Sequence, residues 1–532
     1  MQTRRMFLAS SAAAAAVPGL TSVARGATPA NTLVMAIALD GIITGFDPGE
    51  TYDLAGWEVI GNLYQTLVTP TLADPTKLVG DIAERWDVSP DGLNFTFKLK
   101  SGLKFESGRP VTADDVVFSL QRVIRLNKAG VFLLGQFGWT TDNIGTLIKA
   151  PDAQTVTLTL PTLFATDLVL YCLSTLTAGV VDKAAAMANE VNGDLGNKWL
   201  KTHSAGSGPY RLADWQPGQY VTLETNPVSP DKPKIPRLIM RHVTDPATQF
   251  LILQKGDVDI ARNLGADQIK LIAGQAGLAT VIDPLATVIT LYTNMALPQF
   301  QKLEVRQAVK KAVDYEAIAK NIVPDLWSAW QSCIPKGIPG AITDTPYKKD
   351  VPAAKALMAK AGYADGFSVT LDHFSTSPYS DIAQAVQADL AEIGIKAQLL
   401  AGEQKQVVSK AYARTFQMML AAPGSDYLDG YSLAQYFCEN RDDSDASKNQ
   451  NPAWRNHWID PALNDLVAQA AKETNTTKRL EVFADIQKGF MERSPMAILL
   501  QQNSVAGVRK SVFGFHVGSI AYYTRFGDIT KT

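Results

Sequence analysis

The chain is 532 residues long, 46% hydrophobic and 19% charged, which is room for about two to four domains at roughly 100–200 residues each. Lys and Arg number 50 against 52 Asp and Glu, a formal net of −2, so no dense basic stripe is present to attract nucleic acid. The same figures exclude collagen, a coiled coil, a multi-pass membrane protein and a disulfide-rich miniprotein.

Thr3-Arg4-Arg5-Met6-Phe7-Leu8 is a twin-arginine pattern, followed by an apolar, Ala-rich run to Leu20 and then Ser22-Val23-Ala24-Arg25-Gly26-Ala27. Charged, apolar, then small is the order of a cleaved export signal, and it predicts residues 1–27 as a twin-arginine signal peptide. The apolar run is too short to span a bilayer. The cysteines are Cys172, Cys333 and Cys438. None lies at the cut site to carry a lipid, so the expectation is a free periplasmic protein with no direct membrane anchor. Their wide spacing defines no pair, and they read as free buried thiols.

Leu33 to Ala38 is a continuous apolar run and predicts a buried first strand. Phe46-Asp47-Pro48 is a turn, and Trp57 to Leu67 reads as a helix with Ile60, Leu63, Tyr64 and Leu67 on one side. Ser89-Pro90-Asp91-Gly92 turns the chain into Asn94 to Lys100, whose alternation puts Phe95, Phe97 and Leu99 on one face. Thr112 can cap a helix whose first turn holds Asp114 and Asp115. Thr155 to Leu160 alternates again, with Val156, Leu158 and Leu160 inward. This stretch predicts a small α/β unit with hairpins.

Beyond residue 284, Val305, Ala308, Val309, Ala312 and Val313 form an amphipathic stripe. Phe367 to Leu371 and Ile395 to Leu400 read as strands flanking a helix lined by Ile382, Val386, Leu390 and Ile393, which makes a parallel βαβ unit. Phe416 to Ala421 is a third strand. Asn440 to Asn451 reads as an exposed polar loop, and Leu480, Phe483, Ile486 and Phe490 mark a late helix. Between α/β lobes, ligand pockets form beyond the carboxyl ends of parallel strands.

Signatures of catalysis are missing from the sequence, and neither catalytic residues, a metal site nor a cofactor is expected. Gly206-Ser207-Gly208 is followed by Pro209 and reads as a tight turn into a strand from Tyr210. The histidines, His203, His242, His373, His457 and His516, stand singly; His373 is of interest because it ends a strand of the βαβ unit. Asp442-Asp443-Ser444-Asp445 lacks the ligand spacing of a calcium loop and reads as solvated.

Four segments carry a family resemblance. The first runs from Leu78-Val79-Gly80-Asp81-Ile82-Ala83-Glu84-Arg85-Trp86 through Asp87-Val88-Ser89-Pro90-Asp91-Gly92 and Phe95-Thr96-Phe97-Lys98-Leu99. It continues into Phe105-Glu106-Ser107-Gly108-Arg109-Pro110-Val111-Thr112-Ala113-Asp114-Asp115-Val116. The second is Gly206-Ser207-Gly208-Pro209-Tyr210 with Trp215, Gly218 and Asn226. The third is Val305-Arg306-Gln307-Ala308-Val309 through Asp314. The fourth is Ala354-Lys355-Ala356-Leu357-Met358 with Ala361-Gly362-Tyr363 and Leu390 to Ile395. Together they resemble the extracytoplasmic solute-binding proteins of peptide-type (oligopeptide and dipeptide) ABC transporters.

The resemblance implies an α/β, two-lobed periplasmic-binding-protein fold with mixed sheets, a hinge between the lobes and a small α/β domain inserted in the first lobe. It divides the chain into first-lobe parts 28–64, 184–283 and 505–532, an inserted domain 65–183 and a second lobe 284–504. The implied function is capture of a small polar or zwitterionic solute, peptide or peptide-like, by a monomer that delivers it to permease and ATPase subunits. An opine, sugar or metal chelate is the alternative ligand. A secreted hydrolase, or a periplasmic chaperone or sensor, are the rival classes.

The resemblance also nominates ligand-binding residues. Asp426, in Pro423-Gly424-Ser425-Asp426-Tyr427-Leu428-Asp429, lies where relatives hold a ligand's α-ammonium; the other role open to it is the cap of a helix over Tyr427 to Phe437. Pro423 stands where those relatives have Trp, and Asp429-Gly430 where they have Asp-Pro or Glu-Pro. Tyr52 can cover the ligand or be a surface aromatic, and Asn294 can bond the ligand or support the hinge. Arg414 can oppose a ligand carboxylate or end a helix in solvent. Tyr427 neighbours Asp426, and Trp327 and Trp330 belong to pocket or core. Arg306 is expected in solvent or an ion pair.

Overall fold

The structure, a computed structural model, describes residues 28–39, 43–71 and 74–532. The twin-arginine segment lies outside the described residues. Every residue of the first strand, Thr32–Ile37, is buried. It runs parallel to Arg237–His242 on one side and Ile260–Ala261 on the other. A strand with neighbours on both edges and cover on both faces needs an unbroken apolar run, and this one has it.

That strand belongs to an eleven-stranded mixed sheet that runs through both lobes. The first lobe contributes Tyr210–Gln216, Tyr220–Thr225, Arg237–His242, Thr32–Ile37 and Ile260–Ala261. The second contributes Met418–Ala421, Phe367–Phe374 and Ile395–Gly402, with Trp327–Ala329 at the side. Two long antiparallel strands, Leu278–Thr293 and Met496–Arg509, cross between them. Their register shifts between Pro284 and Val288. Pro284 has no N–H for the ladder, and such an irregularity bends and twists a strand pair. The Gln501 amide spans the shift: Nε2 donates to Leu285 O and to Lys336 O, both at 2.9 Å.

In the second lobe, Phe367–Phe374 and Ile395–Gly402 are parallel and joined by the helix Tyr379–Ala391, the βαβ unit that the spacing predicts. Val369, Leu371, Ile382, Val386 and Leu390 share one apolar cluster with Val305, Ala308, Val309 and Ala312 of the helix Leu303–Ala312. Each such side chain adds about 1.5–3 kcal/mol on full burial.

A separate four-stranded antiparallel sheet holds Ala83–Val88, Asn94–Leu99, Thr155–Thr159 and Ile148–Asp152. Phe95, Phe97, Leu99, Val156 and Leu158 are its buried face. Its helix Ala113–Leu126 presents Arg122, whose Nη1 and Nη2 donate to the two oxygens of Asp47 at 2.7 and 2.6 Å. Both side chains are 1% exposed, so this pair pins the antiparallel unit to the loop after the first strand.

Some local expectations shift. The helix read from Trp57 to Leu67 is Leu54–Leu63, with Asp53 accepting from Gly56 N at 2.6 Å as its cap. It stops early because the turn Gly206-Ser207-Gly208 packs on its end: a Cβ on Gly206 would lie 2.0 Å from Leu63 O. The third strand is Met418–Ala421, without Phe416 and Gln417. In the late helix Thr476–Arg493, Leu480 is exposed while Arg479, Val482, Phe483, Ile486 and Phe490 are buried. The polar loop from 440 to 451 is pinned, since Asn440, Ser447 and Asn451 are buried. Asp443 there is in an ion pair with Arg414 and lies 3.0 Å from His457 Nδ1, not simply solvated.

Candidate functional site

The loop that follows Met418–Ala421 is clamped to the crossing strand at its register shift. Val288 N donates to Pro423 O at 3.0 Å, and Ser425 N to Ala286 O at 2.8 Å. From the first lobe's C-terminal segment, Tyr522 donates its hydroxyl to Asp426 O at 2.7 Å. The backbone of Asp426 is therefore fixed between the crossing strand and the C-terminal segment of the chain.

The Asp426 carboxylate accepts a hydrogen bond from the Tyr52 hydroxyl, which comes from the first lobe. Among the described residues no Lys, Arg or His pairs with it. Burial without a cation pushes its pKa up to about 6, against the lowering effect of the Tyr52 bond. The Tyr52 phenol is pushed well above its usual range by burial and by the carboxylate it touches. The helix-capping role falls to a different carboxylate: Asp429 caps Gly430–Cys438 by accepting from Tyr431 N at 2.8 Å. Asp429 is also bonded to both Nη atoms of Arg479, at 2.6 and 2.8 Å.

A cavity of about 450 Å³ opens beside this loop, with Phe374, Gly402 and Ala421 in its wall. These residues end three neighbouring strands, so the cavity lies beyond the carboxyl ends of the parallel unit. Tyr292, Tyr412 and Tyr436 supply aromatic walls, and Arg455 a cation. The Tyr436 phenol is raised by burial, opposed by Arg455 and reinforced by Tyr412 and Asp426 nearby. Tyr52, outside this lining, packs edge-on against Trp57 at 4.9 Å and Phe132 at 5.9 Å. Leu54 and Phe132, at 69% and 44% exposure, extend that apolar surface.

A second groove, of about 480 Å³, includes Glu106, His203, Arg211 and Trp215. Burial raises the Glu106 carboxyl to about 7, while the Ser204 hydroxyl counters it. All its walls come from residues before 218. The first cavity is likewise lined from one stretch, residues 292–455, but it adjoins the loop whose Asp426 meets Tyr52.

The structure places the other nominated residues elsewhere. Asn294 is buried, donating to Phe416 O at 2.9 Å and accepting from Ala296 N at 2.9 Å. Arg414, at φ +59°, stacks on Trp454 at 4.2 Å and pairs with Asp443, its side chain 6% exposed rather than projecting into solvent. Tyr427 is buried in the core, its phenol raised by burial, with the Asp429 charge adding to it. Trp327 and Trp330 are core residues. His373 is buried with Nδ1 at 2.9 Å from Phe374 O. Arg306 is neither solvated nor ion-paired; it is sunk into carbonyls, with Nη1 donating to Phe300 O at 2.8 Å and Nη2 to Arg493 O at 3.0 Å.

Sequence reasoning nominates Asp426 and Tyr52, whose side chains meet, and does not nominate Tyr292, Tyr412, Tyr436 or Arg455, which line the cavity. The signal available for the site was positional: the turns after the three strands of the parallel unit, at 375, 402 and 422, all reach the cavity. Among the described residues, no group of three or more His, Cys, Asp and Glu is placed to hold a metal ion. The side chains gathered here are suited to binding: a carboxylate, a guanidinium and phenols, with apolar walls between them.

Residues 77–445 match the family described as bacterial extracellular solute-binding proteins, family 5 Middle. The chain is 28% identical over 499 residues to the probable D,D-dipeptide-binding periplasmic protein DdpA of Escherichia coli K12, covering 93% of each chain. Among solved structures it resembles the periplasmic binding protein DppA of Helicobacter pylori in complex with the peptide STSA. There the TM-score is 0.76 at 23% identity, over 94% of this chain and 98% of that one. It also resembles AgaA of Agrobacterium tumefaciens R10 in complex with agropinic acid. That match has a TM-score of 0.72 at 26% identity, over 94% and 99% of the two chains.

Proposed function

This chain belongs to the bacterial extracellular solute-binding proteins of family 5, and we propose that it is the periplasmic binding component of an ABC importer for a small zwitterionic solute, a short peptide or peptide-like molecule. One observation carries the choice of solute. Asp426 is a half-buried carboxylate that pairs with no cation among the described residues, and its side chain is bonded to the Tyr52 hydroxyl. A ligand ammonium is the group that satisfies it, through a charge-assisted hydrogen bond worth about 1.5–3 kcal/mol.

In this reading the lobes are residues 28–64, 184–283 and 505–532 against 284–504, with 65–183 inserted, and they move about the crossing strands near Pro284–Val288. A ligand that touches both lobes favours the closed arrangement by its differential affinity for it. No bond of the solute changes. A permease reads the closed form, ATPase subunits drive uptake, and residues 1–27 direct export of the folded chain.

A peptide is favoured by the carboxylate and by relatives whose names specify dipeptides. An opine is the second reading, because Pro423 replaces the aromatic wall of peptide-binding relatives and AgaA holds agropinic acid on this fold.

The test is native mass spectrometry of gently purified mature protein, with identification of whatever denaturation releases, followed by a thermal-shift screen. A bound amine-bearing acid, returned intact, is the expected result. At 100 times Kd such a ligand adds about 2.7 kcal/mol of stability. A ligand without an amine, or turnover of the ligand, overturns the proposal.

A further inference from the structure

We propose that Arg455 is the carboxylate anchor of this cleft, so that the solute is held by its anionic end at Arg455 and by its amine at Asp426. The inference rests on the cleft being the solute site, as above. The Arg455 guanidinium lies over the Tyr412 ring at 4.0 Å and near that of Tyr436 at 5.9 Å. Its Nε donates to Gln450 O at 2.7 Å, and Nη1 to the Tyr436 hydroxyl at 3.4 Å. Nη2 has no protein acceptor among the described residues.

Several other arginines of this chain are ion-paired, although Nε of Arg262 and of Arg414 is buried without a partner among the described residues. Arg122 has Asp47, Arg479 has Asp429, Arg262 has Glu58, and Arg414 has Asp443. Arg455 forms no ion pair within 4.0 Å among the described residues, yet it lines the cavity. The one other charged group in the lining, Glu403, is exposed and sits at the N-cap of the helix Gln404–Tyr412.

A guanidinium stacked on a phenol keeps its hydrogen-bonding edge in the ring plane, free for a two-pronged carboxylate. Two helix amino termini add to the positive potential there, since Thr376 and Tyr379 precede and open Tyr379–Ala391 while Gly402 and Gln404 flank the start of the other helix. Helix amino termini favour an anion. Arg455 is bonded to Tyr436 in the cavity wall, and Pro423 of the same wall stands three residues before Asp426, so the loop that carries Asp426 borders this aromatic wall. A solute with an amine at one end, a carboxylate at the other and an apolar body between them matches that wall.

The experiment titrates wild-type protein, Arg455→Gln and Asp426→Asn with L,L- and D,D-dipeptides in three forms: free, C-terminally amidated and N-acetylated. Calorimetry gives Kd, and circular dichroism shows that each variant is folded. Amidation is expected to weaken the best wild-type ligand ten- to a hundredfold, about 1.4–2.8 kcal/mol. Arg455→Gln should bind acid and amide alike at the weaker level while still rejecting the acetylated form. Equal wild-type affinity for acid and amide overturns the Arg455 assignment and leaves Asp426 standing if acetylation still abolishes binding. Acid preference that survives in Arg455→Gln overturns it as well. Wild-type protein that binds no free dipeptide overturns the peptide reading and this assignment together. The wild-type acid–amide comparison needs no variant to fold.

Discussion

Asp426 and Asp429 sit in one loop of the second lobe and have opposite fates. Asp429 is 1% exposed and fully partnered: Arg479 grips both its oxygens, and it caps the helix Gly430–Cys438. Asp426 meets only a phenol from the other lobe, and burial holds its pKa near 6. The arginines divide in the same way. Arg479 spends Nε on Ala470 O at 2.7 Å and both Nη atoms on Asp429, whereas Arg455 keeps an amino group without a protein partner. Residue type does not separate the charges bound into the fold from those left open. The presence of a partner within the chain does.

The largest effect should come from breaking the satisfied pair. Arg479→Leu leaves Asp429 buried and unpaired, and should cost about 3–5 kcal/mol in denaturant unfolding. The folded fraction should keep its ligand Kd. Arg122→Leu should cost about as much by stranding Asp47, on the same reasoning. A variant as stable as wild type would remove the distinction drawn between the two aspartates.

Asp426→Asn is the reciprocal test. It removes a carboxylate that has no cation and sits in a desolvated place, so stability should hold or rise at pH 7. Affinity for an amine ligand should fall by about 1.5–3 kcal/mol, roughly ten- to a hundredfold. Loss of stability with unchanged affinity would make Asp426 a structural residue.

Acidification should separate stability from affinity by sign. Asp426 holds its proton more tightly folded, near 6, than at its ordinary value of 3.8. Its contribution to stability is therefore fully present below about pH 4 and lost as pH rises through about 6. Binding of an ammonium needs the ionised form, so affinity runs the other way, weakening about tenfold, or 1.4 kcal/mol, between pH 7 and pH 5. Calorimetric Kd and urea midpoints measured against pH check both slopes, and Asp426→Asn should flatten both. Parallel slopes would contradict the assignment.

The fold was legible where periodicity and burial coincide. Alternation placed Phe95, Phe97 and Leu99 inward, and strand–helix–strand spacing gave the parallel pair that ends at the cavity. Legibility failed where tertiary contacts decide. The helix Leu54–Leu63 ends against the Gly206–Gly208 turn, which no local pattern announces. The late helix turns Arg479 inward because Asp429 waits for it, and a reading of apolar residues alone chose Leu480 instead. Asn440 looked like loop polarity, yet its N donates to Asn464 Oδ1 at 2.9 Å and its carbonyl accepts from Asn464 Nδ2 at 2.8 Å. At the site, Asp426 and Tyr52 came from family resemblance. Arg455 could not, because its surroundings are assembled from segments near 292, 374, 402, 412 and 436.

The smallest effect, and the finest probe of the comparison, is Tyr52→Phe. Two consequences oppose each other. In the unliganded protein the Tyr52 hydroxyl occupies the carboxylate oxygen that an ammonium would take, so its removal relieves competition by about 0.5–1.5 kcal/mol. The same hydrogen bond also lowers the Asp426 pKa against the push of burial, so without it more of the carboxylate is protonated near neutrality. At pH 8, where Asp426 is ionised in either protein, Tyr52→Phe should bind an amine ligand as tightly as wild type or tighter. Near pH 6 it should bind more weakly, and the midpoint of the affinity profile should move above 6. A midpoint that stays put or moves down would mean that Tyr52 does not sustain the charge on Asp426, leaving burial alone to set it.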